Sequence, residues 1–589
     1  MNGFVDLHVS FGDSTPPTRG RLGNPWRTLA DLPHRLWIGA ATSTGGPDIT
    51  TVTAPGWTLW ASGRVFSYRG QPDRPLERFA EDLATGIADP EAIDSHALII
   101  GLESLSSELS VWVNRMGTVH GYRGGRPGHS AFGTFMPAVA ERSTRELDWV
   151  GITGFFGFGF YPGDRTMFDD VQILRPATRT VFDSTGNVVR SERYWDWWLD
   201  PDHNATDNDL VDEFHEVWTR TLDRQMAGTR SVIPISGGLD SRTVFAAAVP
   251  ANGRPRHPVR TMTYGYSKRS PEIRISQRVA HARGQQAMEL VVEPYLLDRI
   301  DEVLDAVEGF QGLAFSRQAG ASATIASLGD HVIGGHWGDV WFDTAGPATH
   351  LDSDDLMSSA FSKFAKRGRE WPLEHLCAPH LQEAPESVLR QVLAEEAAMV
   401  PDLGDSDMRL KVLKTDQWSF RWTLASMRAY QLAVPTLVPF YANDVIDFFL
   451  RIPSDRLPGR RLQIAYLLRH HPDLARITWQ QTGMSLDQRW WEPGIAITRR
   501  SLAKAGRIVR RQPVIERNWE IQYLQCDSPT QLRKALLTEG APVARLATKD
   551  ALAHFIITAL VEPNANIGSA LDSLFTINTV IASAPVPSQ

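Results

Sequence analysis

Across residues 1–190 the apolar positions fall in short runs of β-branched and aromatic residues, broken by Gly, Pro, Asp and Asn. Residues 58–60, residues 65–68, Leu109–Val113 and Thr178–Phe182 are such runs, and runs of this length with these boundaries predict strands and turns. Residues 75–86 depart from that pattern, with Leu76, Phe79 and Leu83 near helical spacing. The region is therefore expected to be mostly β with a few helices. From Trp195 to Asp209 the chain turns polar and acidic, which marks a linker, set at residues 191–209. Beyond it, helices are expected over 210–228, 241–249 and 272–283, and strands over 231–235, 259–264 and 290–293. Alternation of this kind predicts a parallel α/β sheet. From about residue 350 onward the pattern is mostly helical, and residues 582–589 read as a loose tail.

Composition limits the picture without giving a function. At roughly 100–200 residues per domain, a chain of 589 residues holds about two to four domains. With 42% hydrophobic and 22% charged residues, collagen-like, disulfide-rich and wholly disordered chains are excluded. A net charge of -8 leaves no basic excess for nucleic acid. Cys377 and Cys526 build neither a disulfide framework nor a cysteine-rich metal site, and they fit a reducing cytoplasm. The first residues carry no basic segment or long apolar run, and the apolar stretches at 96–101 and 445–450 are too short to span a bilayer. The expectation is a cytoplasmic protein with neither membrane nor nucleic-acid partners.

One motif carries chemistry. A strand runs into Ser236-Gly237-Gly238-Leu239-Asp240-Ser241, and a helix follows. The two glycines permit a tight turn and close approach of backbone to a ligand. Unpaired N–H groups and the positive end of the next helix suit a phosphate, and Ser236 and Ser241 add hydroxyl donors. Asp240 beside a phosphate cradle makes sense as a holder of Mg²⁺. The plainer reading is a serine–glycine turn before a helix. No Walker loop occurs in the sequence.

The six residues resemble the pyrophosphate loop of the asparagine synthetase-like, N-type ATP pyrophosphatases. Further landmarks fall in that family's order: Arg193-Tyr194-Trp195, the strand at 261–265, Glu272 with Ala280, the run Val332–Phe342, Val438-Pro439-Phe440-Tyr441, and 154–178 in the glutaminase region. The resemblance implies an amidotransferase-type (Ntn-like) α/β sandwich at 1–190. It implies an ATP-pyrophosphatase parallel-sheet domain with helical additions at 210–589. It also implies chemistry: ATP and Mg²⁺ activate a carboxylate as an acyl-adenylate, and an amine opens it to an amide with AMP released. Ser236, Gly237, Gly238, Leu239, Asp240, Ser241, Gly265 and Gly335 are then the nucleotide-binding set, and Asp240 and Asp339 share Mg²⁺.

The departures from the family pattern point to the substrate. Glutamine-dependent members begin Met-Cys-Gly, whereas this chain begins Met1-Asn2-Gly3. An amide cannot replace the thiolate nucleophile, so a glutaminase fold without glutaminase activity is expected. His336 stands where asparagine synthetases carry glutamate, and Gly335-His336-Trp337-Gly338-Asp339 resembles the corresponding run of lasso-peptide macrolactam cyclases. A histidine titrating near neutrality suits a base that takes the attacking amine's proton, which makes His336 the catalytic candidate, with a buried structural histidine as the plainer reading. The family's W-R-x-K reads Trp479-Gln480-Gln481-Thr482, and its lysine is missing. Arg421, Arg428, Arg489 or the basic stretch 499–511 are candidates to supply that charge. The leading expectation is a peptide macrolactam ligase acting on a peptide or small-molecule carboxylate, with a precursor peptide and leader protease as partners. The alternatives are an ammonia-using asparagine synthetase or other amidating ligase, and a binding-only pseudo-enzyme. Trp337, Trp341 and the Trp195–Trp198 cluster are read as packing, the pair Trp490-Trp491 as core, and the 499–511 stretch as a solvated helix face.

Overall fold

The computed structural model describes residues 2–12, 15–126, 128–267, 270–346, 351, 353–488 and 517–583. Two six-stranded antiparallel sheets fill the first third of the chain. The first has the order β10 (Val171–Ile173), β8 (Tyr122–Arg126), β9 (His129–Gly133), β1 (Val5–Phe11), β3 (Leu36–Thr42), β2 (Trp26–Leu32). The second has the order β12 (Val188–Arg193), β11 (Thr178–Phe182), β7 (Leu109–Val113), β6 (Ile93–Glu103), β5 (Trp57–Tyr68), β4 (Thr50–Ala54). Side-chain alternation sorts each strand between two layers. In β6, Leu98 and Ile100 join Leu7, Val9 and Ile38 in the core between the sheets. Ile99, one residue out of phase, packs outward with Leu76 and Phe79 of the helix Pro75–Thr85. On the other side, the short helix Met136–Val139 packs on β8 and β9, with Val139 and Val171 both closing on Gly124, and the helix Trp149–Phe158 belongs to the same core. The result is a four-layer α/β sandwich, helices outside and sheets inside.

The third sheet has the order β15 (Ala287–Val291), β14 (Val259–Gly265), β13 (Ser231–Pro234), β16 (His331–Ile333), β17 (Thr436–Leu437). All its pairings are parallel. In chain order this is 3-2-1-4-5, so connections leave in opposite directions on either side of the β13/β16 boundary. Two elements differ from the sequence reading. The outer strand β15 starts three residues before the expected 290, because its first half is an edge with Met288 about half exposed and no apolar run to announce it. The helix expected from 210 begins at Asp207, where Thr206 and Asp209 close a capping box. The acidic end of the expected linker is thus a helix cap. Its start is packed: Trp195 and Trp197 are buried with ring centroids 4.8 Å apart, and the Trp197 indole donates to Asp416.

Buried charge joins the sandwich to the rest of the chain. Arg21 donates to Asp6 and to the Asp305 carbonyl, and lies 3.5 Å from Glu308. Glu308 also meets Arg428 at 2.7 Å, the Tyr122 hydroxyl at 2.9 Å and the Met136 N–H at 2.6 Å. Helices built from the residues after 350, among them Ser353–Phe364, Ser406–Lys414, Arg461–His470 and Ala565–Ser583, surround the parallel sheet. Among the described residues no helix is long and apolar enough to cross a membrane.

Candidate active site

In an open parallel sheet, ligands settle beyond the carboxyl ends of the strands at the point where the strand order reverses. Here that point lies between β13 and β16, and each of these strands delivers one of the two signature loops. β13 runs into Ser236–Ser241 and the helix Asp240–Ala248. The loop is folded on its own hydroxyls: Ser241 Oγ accepts from the Ser236 N–H at 3.0 Å, and Ser236 Oγ accepts from the Gly238 N–H at 3.2 Å. β16 runs into Gly334–Asp339. The two loops touch through glycine. A Cβ at Gly335 would lie 2.8 Å from the Ser241 nitrogen, and one at Gly338 would lie 2.8 Å from Asp240 Oδ1. Any larger residue at either place would push the loops apart.

The loops open on a cavity of about 870 Å³. Ser236, Gly238, Asp240, Ser241, Gly335, His336 and Asp339 line it. Gly237, Leu239 and Gly265, which the sequence placed in the nucleotide set, do not line it. Leu239 is fully buried in the core, Gly237 is covered by Gln480, and at the end of β14 it is Tyr264 that faces the cavity. Asp240 accepts from Arg460 Nη2 at 3.1 and 3.2 Å and from Gln463 Nε2 at 3.1 Å. Its carboxyl is nevertheless raised to about 6, because burial outweighs Arg460 and Asp339 adds a second negative charge. Among the described residues no cluster of three or more His, Cys, Asp or Glu side chains forms a closed metal cage. Asp240 and Asp339 both line the cavity, and such a pair would fit Mg²⁺, which binds through one or two carboxylates together with substrate phosphates.

His336 lies in the same cavity, and its Nδ1 is buried with no hydrogen-bond partner. Burial, and then Arg317, lower the imidazole to about 4, so it is neutral at physiological pH and a weaker base than a free imidazole. That places its titration below the neutral range expected from the residue type. Arg317 stacks 5.6 Å from the Tyr264 ring, and the Tyr264 and Tyr430 hydroxyls meet at 3.1 Å.

Of the cations proposed from sequence, Arg421 and Arg428 are among the described residues, and neither reaches the cavity. Arg421 is fully buried against Phe420, and Arg428 is bound to Glu308. Arg489, Trp490, Trp491 and 499–511 lie outside the described residues. Thr482 is buried, its hydroxyl accepting from the Met484 N–H. Among the described residues the lining cations are Arg317, Lys363, Lys414 and Arg460. Arg460 and Gln463 sit three apart at the start of the helix Arg461–His470, an ordinary spacing with no motif to mark it. Trp337 and Trp341 are buried, with indoles on Thr415 Oγ1 and the Phe440 carbonyl, and Trp337 also lines the cavity. In the sandwich, Asn2 Oδ1 accepts from the Phe4 N–H, the Gly3 N–H donates to the Gln431 carbonyl, and neither thiol of the chain lies nearby in sequence.

With loops, strand order and cavity in place, the comparison with known families adds one match: the model of the asparagine synthase family matches residues 213–460. That stretch is similar to the asparagine synthase domain. No curated protein matches the chain. Two solved structures show a distant likeness. One is titled the allosteric regulatory enzyme of purine biosynthesis, at 8% identity over 50% of this chain and 75% of that one, with a TM-score of 0.21. The other is glutamine phosphoribosylpyrophosphate amidotransferase from B. subtilis complexed with ADP and GMP, at 10% identity over 44% and 60%, with a TM-score of 0.19. At such scores the architecture rests on the strand order described above.

Proposed function

We propose that the protein is an ATP-dependent, AMP-forming ligase that activates a peptide carboxylate and closes it on an amine as a macrolactam. The observation that carries the reading is the meeting of the two loops at the strand-order reversal, which puts Asp240, Asp339 and His336 on one cavity. Ser236, Gly238 and Ser241 would hold the pyrophosphate end of ATP with backbone and hydroxyl donors. Asp240 and Asp339 would hold Mg²⁺, which when bound neutralises phosphate charge. His336, which lines the same cavity and is neutral at physiological pH, would sit beside the attacking amine and orient it. The peptide reading is supported by Asn2 in place of a nucleophilic cysteine and by His336 in place of a glutamate. A precursor peptide and its leader protease are the partners this reading entails.

The test is AMP release from ATP and Mg²⁺ by the purified protein, with aspartate and ammonium as the other substrates. Release with asparagine formed would replace the macrolactam reading with an ammonia-using asparagine synthetase. No release with these substrates, but release with a peptide carboxylate, is the expected result. No release with either identifies a binding-only protein. His336→Ala should slow amide formation more than adenylation, and equal losses would remove its role at the amine.

A further inference from the structure

The cavity wall has two origins. Strand-end loops of the parallel sheet form one part, and the helical additions form the other with Lys363, Phe364, Leu410, Lys414, Trp418 and Trp422. The second part has three features that nucleotide binding does not use. The first is positive charge outside any close ion pair, with Asp339 the acidic group whose charge reaches Lys414. Among the described residues neither Lys363 nor Lys414 has an ion-pair partner within 4 Å, whereas nearby Lys411 is paired with Asp407 at 2.8 Å. The second is aromatic surface around those cations. Lys414 Nζ lies 5.3 Å from the Trp337 ring and 5.8 Å from the Trp418 ring, and Lys366 Nζ sits 3.7 Å over Trp418. Trp418 and Trp422 are in edge contact at 6.0 Å, and both are only partly buried. The third is an unusual backbone. Lys414 ends one helix and passes directly into a nine-residue π-helical stretch, Thr415–Thr423, that carries Trp418. Facing it, Trp337 is held at φ 77°, a left-handed conformation that costs a tryptophan about 1–3 kcal/mol. π-Helical turns and strained backbone concentrate at functional sites.

We infer that Lys414, Lys363, Trp337, Trp418 and Trp422 form the acyl-donor subsite, and that it takes a peptide carboxylate flanked by an aromatic residue. Lys414 meets the carboxylate and holds it beside Asp339, and the tryptophan faces bury the neighbouring side chain. The assignment rests on the ligase reading and deepens it. Free aspartate has no apolar surface to offer these faces, whereas an aromatic side chain buries about 150–250 Å². At 870 Å³ the cavity is near the top of the roughly 300–1,000 Å³ range of small-ligand sites, which leaves room for a second substrate beside a nucleotide. The subsite also supplies a cation near the reacting centre where Thr482 cannot.

The test is calorimetric titration of the full chain with N-acetyl-Phe-Asp-amide, N-acetyl-Ala-Asp-amide and free aspartate as probes. The phenylalanyl probe should bind at least tenfold tighter than the other two. Lys414→Met should weaken it at least tenfold, Lys414→Arg should recover part of the loss, and Trp418→Leu should erase the preference for phenylalanine over alanine. ADP binding within twofold of wild type in each variant shows that the fold is intact. Absence of binding by the phenylalanyl probe, equal binding of aspartate, or unchanged affinity in Lys414→Met would each overturn the assignment. Binding with these dependences but no AMP release from ATP would keep the subsite and remove the ligase reading. AMP release driven by aspartate without peptide binding would do the reverse.

Discussion

Asp240→Asn separates a metal-holding carboxylate from a structural one. In the fold Asp240 receives two contacts from Arg460 and one from Gln463, all between 3.1 and 3.2 Å. Asparagine keeps an acceptor oxygen for these donors, so the loss is the difference between charged and neutral hydrogen bonds, about 1–2 kcal/mol. The carboxyl is raised from 3.8 to about 6 by burial, which amounts to about 3 kcal/mol against the ionised form. That penalty disappears in the amide. The two terms oppose one another, and the ligand-free melting temperature should move by no more than about 1–2 kcal/mol equivalent. Nucleotide binding should have no such offset, because the proposed Mg²⁺ site would lose one of its two carboxylates. Differential scanning calorimetry with and without ATP and Mg²⁺ reads both effects. At a ligand concentration of 100 times Kd, wild type should gain about 2.7 kcal/mol, and Asp240→Asn should gain almost nothing. AMP formation should fall about a thousandfold, the equivalent of about 4 kcal/mol. If the variant's melting temperature rose with ATP and Mg²⁺ as far as wild type's, Asp240 would be no more than a partner for Arg460.

Two further predictions concern buried carboxylates away from the cavity. Asp572 is fully buried and raised to about 6 by burial, against hydrogen bonds from the Tyr523 hydroxyl and the Ala314 N–H. Between pH 4 and 6 the folded state therefore holds more protons than the unfolded one at this site, so wild-type stability falls as pH rises through that window, by about 3 kcal/mol from this group. Urea unfolding of Asp572→Asn should lose that slope, and parallel pH profiles for the two proteins would refute the account. Glu308→Ala strips Arg428 of its 2.7 Å partner inside the domain interface and should destabilise by about 3–5 kcal/mol in the same assay. A change under about 1 kcal/mol would mean that Asp6 and the remaining acceptors absorb the charge.

The chemistry-bearing loops were legible because their residue types are dictated locally. A strand, two glycines and a helix start make a tight strand-to-helix turn whatever surrounds them, and Gly335 and Gly338 are required by the approach of one loop to the other. The alternation after residue 210 was legible for the same reason, since period 2 and period 3.6 are properties of single elements. The cations were not. Arg317, Lys414 and Arg460 reach the cavity from segments far apart in sequence, and their neighbours have no spacing that distinguishes them from Arg421 or Arg428, which point elsewhere. The titration of His336 was equally hidden. Residue type gives a value near neutrality, but burial and Arg317 are tertiary facts, and together they lower it to about 4.

The same distinction explains why a sandwich whose second residue is asparagine would be retained. Asn2 carries no nucleophile, yet Gly3 is wedged so closely against the segment Val434–Pro435 that a Cβ would approach the backbone there to 2.2 Å. Pro435 leads into β17, which pairs with β16, the strand that delivers Asp339 and His336. On the other side of the interface, Glu308 is satisfied only by Arg21, Tyr122 and the Met136 N–H of the sandwich together with Arg428. Removing the sandwich would take Arg21, the Tyr122 hydroxyl and the Met136 N–H from Glu308, leaving it with Arg428, and would uncover the flank of β17. Breaking a single buried pair already costs about 3–5 kcal/mol, a large part of the roughly 5–15 kcal/mol that holds a domain folded. The sandwich is therefore held in place by its contacts with the ATP-site domain, whatever residue stands at position 2.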